Sequence, residues 1–132
     1  YKSAKFMVAL GRFLGDAQAR NQRVIVFAQV PMLSSNVHRT HRFKSIGIAP
    51  ETSIESEWSK ANETIRQLVS RYSTAEFLDM SSEQLFAEAP FYQGVLVYSD
   101  SHHLNEIGSR LYGETAIPYL SRLIMKSSGK AP

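Results

Sequence analysis

A short run of the sequence, residues 98–108, carries the side chains best suited to chemistry. Asp100 stands three residues before His103, after an apolar segment and before an amphipathic one. A carboxylate that hydrogen-bonds one imidazole nitrogen holds the ring in one tautomer, and the other nitrogen then acts as a general base. A separation of three residues allows this contact where the chain curls into a tight turn. The pair therefore predicts half of a hydrolase triad.

The same residues also have a purely structural interpretation. Asp100 and Asn105 are residue types that cap helices, and His103 would then be an ordinary surface residue. A nucleophile that would complete the triad is not evident in this part of the sequence. Spacing alone leaves both interpretations open.

The sequence gives little support for a metal or cofactor site. His102 and His103 with Asp100, joined by His38 or His41, would need three or four converging ligands to hold a metal ion. Adjacent histidines point in different directions, so we expect neither a metal nor another cofactor. Cysteine is absent, which excludes disulfides, thiolate metal ligands and cysteine nucleophiles.

A second candidate site is the basic segment 38–44. His38, Arg39 and Arg42 are its candidate substrate-binding residues, as contacts to an anion or an anionic polysaccharide. Phosphate contacts in nucleic-acid binding also need Lys and Arg, but the interleaved aromatic residues of single-strand binders are missing, so we expect no nucleic-acid partner. A solvated loop without function is the remaining alternative.

Composition is that of an ordinary globular fold. The 132 residues are 43% hydrophobic and 20% charged, with a net charge of +3. No apolar run approaches the roughly 18 residues that span a bilayer. The sequence opens on Tyr1 and enters helical periodicity almost at once, and we expect it to be a piece of a longer protein.

Hydrophobic patterning predicts alternating helices and strands, which implies an α/β fold with a mostly parallel sheet. A helix precedes a buried strand at Val24–Ala28, and a long loop at 31–50 follows it. Capping boxes at Thr52 and Ser81 predict the next helices, and further strands end near Asp79 and at Tyr98. Because only two strands look solid, we expect a sheet that is incomplete on its N-terminal side. One domain over 1–126 and a frayed tail over 127–132 complete the predicted organisation.

The run from Asp100 to Gly108 resembles the last motif of the SGNH hydrolase superfamily. Its pattern is Asp-x-x-His-Leu, a small polar residue, two further residues and Gly, after a strand that ends in Tyr. The chain looks most like the C-terminal SGNH domain of bacterial membrane acyltransferases of the acyltransferase-3 type. The segments Arg23–Pro31 and Phe77–Asp79 follow the order of that family. The resemblance implies a three-layer α/β/α, flavodoxin-like fold, of which this chain would be the C-terminal half.

By this resemblance His103 is the catalytic base and Asp100 its orienting acid. The family's Gly-Asp-Ser nucleophile and its oxyanion Gly and Asn are not found here, since Gly15-Asp16 is followed by Ala17 and Ser34 lacks that context. We therefore expect the chain alone to be inactive. The implied protein is a serine O-acyltransferase or esterase acting on cell-surface polysaccharide.

The resemblance also implies partners and a location. The partners are an acyl donor, a polysaccharide acceptor and an upstream part of the same protein, with a possible transmembrane acyltransferase domain. The location is the periplasmic or extracellular face of the inner membrane. The alternative function is a non-catalytic α/β domain that binds an anionic glycan or a protein through the basic segment 38–44.

Overall fold

The computed structural model describes residues 4–49 and 52–128. Nine elements follow one another within these ranges. They are α1 (Ala4–Ala19), β1 (Val24–Phe27), α2 (Val37–Ser45), α3 (Glu57–Val69), β2 (Ala75–Leu78), a 3-10 helix (Gln84–Phe86), β3 (Phe91–Tyr92), β4 (Val95–Leu96) and α4 (Glu106–Ser128). The described residues divide into two compact units. The first unit comprises residues 4–32 and 54–82, and the second comprises residues 33–49, 52–53 and 83–128.

The first unit is built on a parallel pair of strands. β1 and β2 align in register from Val24 opposite Ala75 to Phe27 opposite Leu78, and α3 contacts both β2 and α1. Apolar side chains at helical spacing and on the strands form its core, namely Leu14, Ala17, Ala28, Trp58, Val69, Leu78 and Met80. Asn62 is buried among them, where it accepts from the backbone N–H of Gln29 and donates to its carbonyl.

The second unit carries the residues that the sequence singles out. β3 and β4 form an antiparallel hairpin, and the chain then runs through Val97 and Tyr98 to the turn that precedes α4. Both of these side chains are fully buried. An antiparallel bridge joins Tyr98 to Leu104, so the segment between them is a closed loop at the start of α4.

The mixed α/β class with a small parallel sheet is confirmed, whereas the three-layer flavodoxin-like arrangement stays a prediction. The expected third strand at Val95–Tyr98 is shorter than predicted and antiparallel. Gln93 and Gly94 both adopt positive φ, and two such residues form the tight turn that joins antiparallel strands. β1 is also more open than a strand buried on both faces, since Phe27 is exposed and the described residues give β1 one partner only.

Several predicted boundaries are wrong. Within the predicted loop 31–50, residues 37–45 are helical, because the side chain of Asn36 caps α2 by accepting from the N–H of Arg39. The predicted capping boxes do not start their helices, as α3 begins after Ser56 and the 3-10 helix after Glu83, neither with a side-chain cap. α4 continues to Ser128, two residues into the predicted frayed tail, whose last residues, 129–132, lie outside the described residues. The single domain over 1–126 stays a prediction.

Candidate active site

The structure brings Asp100 and His103 into direct contact. The Nδ1 atom of His103 lies 2.9 Å from Oδ2 of Asp100 and 3.0 Å from Oδ1. The separation of three residues suffices because the intervening chain turns back on itself. This is the contact that the sequence predicts for an orienting carboxylate and its histidine.

The carboxylate of Asp100 also organises the backbone of the turn. Its Oδ1 atom accepts from the N–H of His102 at 2.7 Å and from the N–H of His103 at 2.9 Å. The hydrogen bond from the His103 side chain, together with that from the His102 N–H, lowers the pKa of Asp100 to about 2. The carboxylate is therefore ionised at neutral pH and accepts hydrogen bonds only.

This ionisation decides the tautomer of His103. Since an ionised carboxylate only accepts, Nδ1 of a neutral His103 carries the proton, and Nε2 then holds a lone pair. Within residues 4–49 and 52–128 no group hydrogen-bonds Nε2 of His103. The side chain is 75% exposed, so Nε2 is open to a substrate or a nucleophile.

Ser99 closes the turn from its other side. Its N–H donates to the carbonyl of His103 at 2.8 Å, and its Oγ donates to the same oxygen at 3.1 Å. The backbone of His103 is thus held between Ser99 and the carboxylate of Asp100. Two independent attachments on one residue restrict the orientation of the imidazole.

Asn105 joins the turn to α4 and to the hairpin. Its Oδ1 accepts from the N–H of Gly108 at 2.9 Å, which caps the helix as predicted, and its Nδ2 donates to the carbonyl of Leu96 at 2.8 Å. Its own N–H donates to the carbonyl of Val97 at 3.0 Å. A single residue therefore ties the helix start to the strand that leads into the turn.

Gly108 lets the helix approach that strand closely. A Cβ atom at this position would lie 2.0 Å from the carbonyl oxygen of Val97 and 3.0 Å from its carbonyl carbon. Both neighbours are backbone atoms, which cannot rotate away as a side chain can. The glycine is therefore required by packing, and a larger residue would push α4 away from the turn.

A comparison with protein families matches residues 2–118 to the family described as "SGNH domain (fused to AT3 domains)". The chain belongs to this family. The comparisons with curated proteins and with solved structures found no match. The chain is thus an SGNH-type acyltransferase or esterase domain, and the resemblance inferred from the sequence is confirmed.

The remaining predicted residues of the SGNH domain lie on α2. His38, Arg39 and Arg42 are exposed on this helix and not on a loop. In the described part of the chain, no hydrogen bond or ion pair joins them to Asp100 or His103. Their role in substrate binding stays a prediction.

His102 differs sharply from its neighbour. Its Nδ1 lies 3.0 Å from Oγ of Ser101 and makes no contact with a carboxylate among the described residues. The two histidine rings are 6.3 Å apart and tilted by 65°, so they point in different directions. Within the described ranges, no group of three or more His, Asp or Glu comes together as a metal ion would require.

Sequence reasoning missed two attachments of the site. One is the double hydrogen bond of Ser99 to the carbonyl of His103, and the other is the bond of Asn105 to Leu96. Asn105 was visible only as a helix cap, and its second contact depends on where the hairpin lies. For Ser99 the sequence offers one local signal of such a contact, namely that a polar residue stands directly before the Asp of the motif.

Proposed function

We propose that this SGNH domain supplies the Asp-His half of a serine-dependent O-acyltransferase or esterase that acts on cell-surface polysaccharide. The observation that carries the proposal is the contact of His103 Nδ1 with the Asp100 carboxylate, with Nε2 exposed. A histidine oriented in this way is suited to general-base work. A surface histidine next to a helix cap would not need this arrangement.

The proposed reaction has two steps. Nε2 of His103 accepts the proton of a serine hydroxyl while the serine oxygen attacks the acyl carbonyl of the donor. His103 then gives the proton to the leaving group, and an acyl-serine remains. In the second step His103 takes a proton from water or from a sugar hydroxyl, whose oxygen attacks the acyl carbon. The bond between that carbon and the serine oxygen breaks, and His103 returns the proton to the serine oxygen. Asp100 stabilises the imidazolium formed in each step.

We further propose that the domain is fused to a membrane-embedded AT3 acyltransferase domain and faces the periplasm or the cell exterior. The description of its family, SGNH domains fused to AT3 domains, supports the fusion. The described helices include none that is long and apolar enough to cross a bilayer. The serine and the oxyanion donors would come from the upstream part of the same protein, because no described serine hydrogen-bonds the His103 side chain.

The experiment compares adjacent histidines in the protein that carries this domain. We expect His103→Ala to lower acyl transfer or ester hydrolysis by about 10³-fold or more, since it removes the general base of both proposed steps. His102→Ala is the matched control and should retain activity, because the His102 side chain hydrogen-bonds no carboxylate among the described residues and its backbone N–H, which donates to Asp100, is kept in the variant. Added imidazole should restore part of the activity of His103→Ala. Equal effects of the two substitutions would contradict the proposal.

The alternative, a non-catalytic domain that binds an anionic glycan through segment 38–44, makes the opposite prediction. The exposure of Arg39 and Arg42 on α2 favours it. In that case His103→Ala would change nothing, and Arg39→Gln with Arg42→Gln would abolish glycan binding. The isolated chain should show no esterase activity under either hypothesis, so the test needs the complete protein.

A further inference from the structure

The chain directly after α2 forms a hydrogen-bonded turn that exposes apolar side chains. The N–H of Gly47 donates to the carbonyl of Lys44, and the N–H of Ile48 donates to that of Phe43. Gly47 has a φ of +78°, the conformation that ends a helix in this way. Ile46 is 65% exposed and Ile48 50% exposed. Two isoleucines thus project to solvent from a turn whose backbone hydrogen bonds are satisfied.

The helix before this turn is strongly basic. Arg39, Arg42 and Lys44 are all exposed, and the sequence holds no Asp or Glu between residues 17 and 50. Among the described residues none of the three forms an ion pair. The amino group of Lys44 lies 3.7 Å from the ring centre of Phe91, and the guanidinium of Arg39 lies 5.2 Å from that of Phe43. Their charges are therefore free of carboxylates and held close to the protein surface.

We propose that Arg39, Arg42, Lys44, Ile46 and Ile48 form a surface that docks on an anionic phospholipid bilayer. Basic side chains beside exposed aliphatic ones match the two layers of a membrane interface. The cations meet the lipid phosphates, and the isoleucines enter the boundary between headgroups and acyl chains. This lipid-docking surface belongs to neither step of the proposed reaction.

A lipid surface fits better than a glycan or a nucleic acid. Sugars and bases are commonly recognised by stacking on open aromatic faces. The two rings of this region are unsuited to that, because Phe91 is buried and Phe43 is half-buried, each with a cation over it. The exposed isoleucines have no role in binding a polar polymer. At a bilayer the isoleucines would contribute to binding, because their apolar area is removed from water there.

The test measures binding of the full chain to vesicles by flotation. Vesicles of phosphatidylcholine with 30% phosphatidylglycerol should bind the chain, and pure phosphatidylcholine vesicles should not. Each basic residue near an anionic bilayer contributes about fivefold in affinity. We therefore expect Arg39→Gln, Arg42→Gln and Lys44→Gln together to weaken binding by roughly 100-fold. The double variant Ile46→Ser with Ile48→Ser should also weaken binding, by about tenfold or more, while leaving the salt dependence in place.

The matched control uses two other isoleucines of the same unit. Ile117 and Ile124 on α4 are each 60% exposed, so Ile117→Ser with Ile124→Ser removes similar apolar surface and should leave vesicle binding unchanged. Circular dichroism confirms that each variant is folded. Absence of binding to the anionic vesicles overturns the proposal. A second result also overturns it: the variant with Ile46→Ser and Ile48→Ser binds the vesicles fully, and a soluble anionic polysaccharide competes with the vesicles for the chain. That result assigns the surface to a glycan.

Discussion

Replacement of Gly108 by Ala tests whether α4 must lie against Val97 to hold the turn that carries Asp100 and His103. The added Cβ would stand 2.0 Å from the Val97 carbonyl oxygen, whereas carbon-to-oxygen contacts run at about 3.3 Å or more. The helix start and the strand must therefore separate by roughly 1.3 Å. Val97 has no room to yield, because its side chain is fully buried and its N–H is bonded to the carbonyl of Pro90.

The expected cost follows from two opposing effects. Overpacking of this kind costs about 3 kcal/mol, because the added Cβ meets a backbone carbonyl that cannot rotate away. Replacing a helical glycine by alanine gains up to about 1 kcal/mol. The net loss in the free energy of unfolding is therefore about 2 kcal/mol, or a fall in Tm of roughly 8 °C for a chain of this size.

Gly113 provides the matched control on the same helix. It is exposed, and an added Cβ would meet nothing within 4 Å, so Gly113→Ala should gain about 1 kcal/mol and raise Tm by roughly 4 °C. The assay is urea and thermal unfolding of both variants, with acyl-transfer activity measured in the protein that carries the domain. Gly108→Ala should lose activity as well as stability. A Gly108→Ala variant as stable as Gly113→Ala would refute the close approach.

Three further changes probe the hydrogen bonds of the two units. The carboxyl of Asp100 should titrate near pH 2 in carbon NMR spectra, and at a higher pH in His103→Ala. Because the pKa of Asp100 in the folded chain lies below its ordinary value of 3.8, the ionised carboxylate stabilises the fold fully above pH 3.8. This stabilisation is lost as the pH falls toward 2. Asn105→Ala removes the α4 cap and a strand contact and should cost about 1 to 2 kcal/mol in urea unfolding, whereas an unchanged midpoint would contradict the double role. Asn62→Ala leaves the N–H and carbonyl of Gln29 unpaired and should cost about 1 to 3 kcal/mol in urea unfolding; a variant that unfolds at the same urea concentration as the unchanged chain would show that these two bonds do not stabilise the unit.

Local features of the site were predictable from the sequence, because their partners are close along the chain. The contact of Asp100 with His103 spans three residues, and the cap of Asn105 on Gly108 also spans three. Such contacts depend on a single turn of chain. Residue types at fixed spacing therefore carry enough information to predict them.

The hairpin and α2 were not predictable by the same means. Gln93-Gly94 is a weaker hairpin signal than Asn-Gly, so the antiparallel pairing of Phe91–Tyr92 with Val95–Leu96 was missed. α2 offers few apolar residues at helical spacing, and the Asn36 cap was the clearest local sign of it. Its side chains rest instead on Phe91, which is distant in sequence.

The anchors of the Asp100–His103 pair lie within a short stretch of chain. Ser99, Asn105 and Gly108 hold the turn through bonds and contacts to residues 96–103. The low pKa of Asp100 has its cause in the same turn, since the hydrogen bonds come from His102 and His103. The geometry of the Asp100–His103 pair thus does not depend on where the proposed serine lies in the complete protein. It follows that titration of Asp100 in this chain alone tests the orientation of His103. A measurement of acyl-transfer activity in the complete protein tests instead whether the serine is supplied.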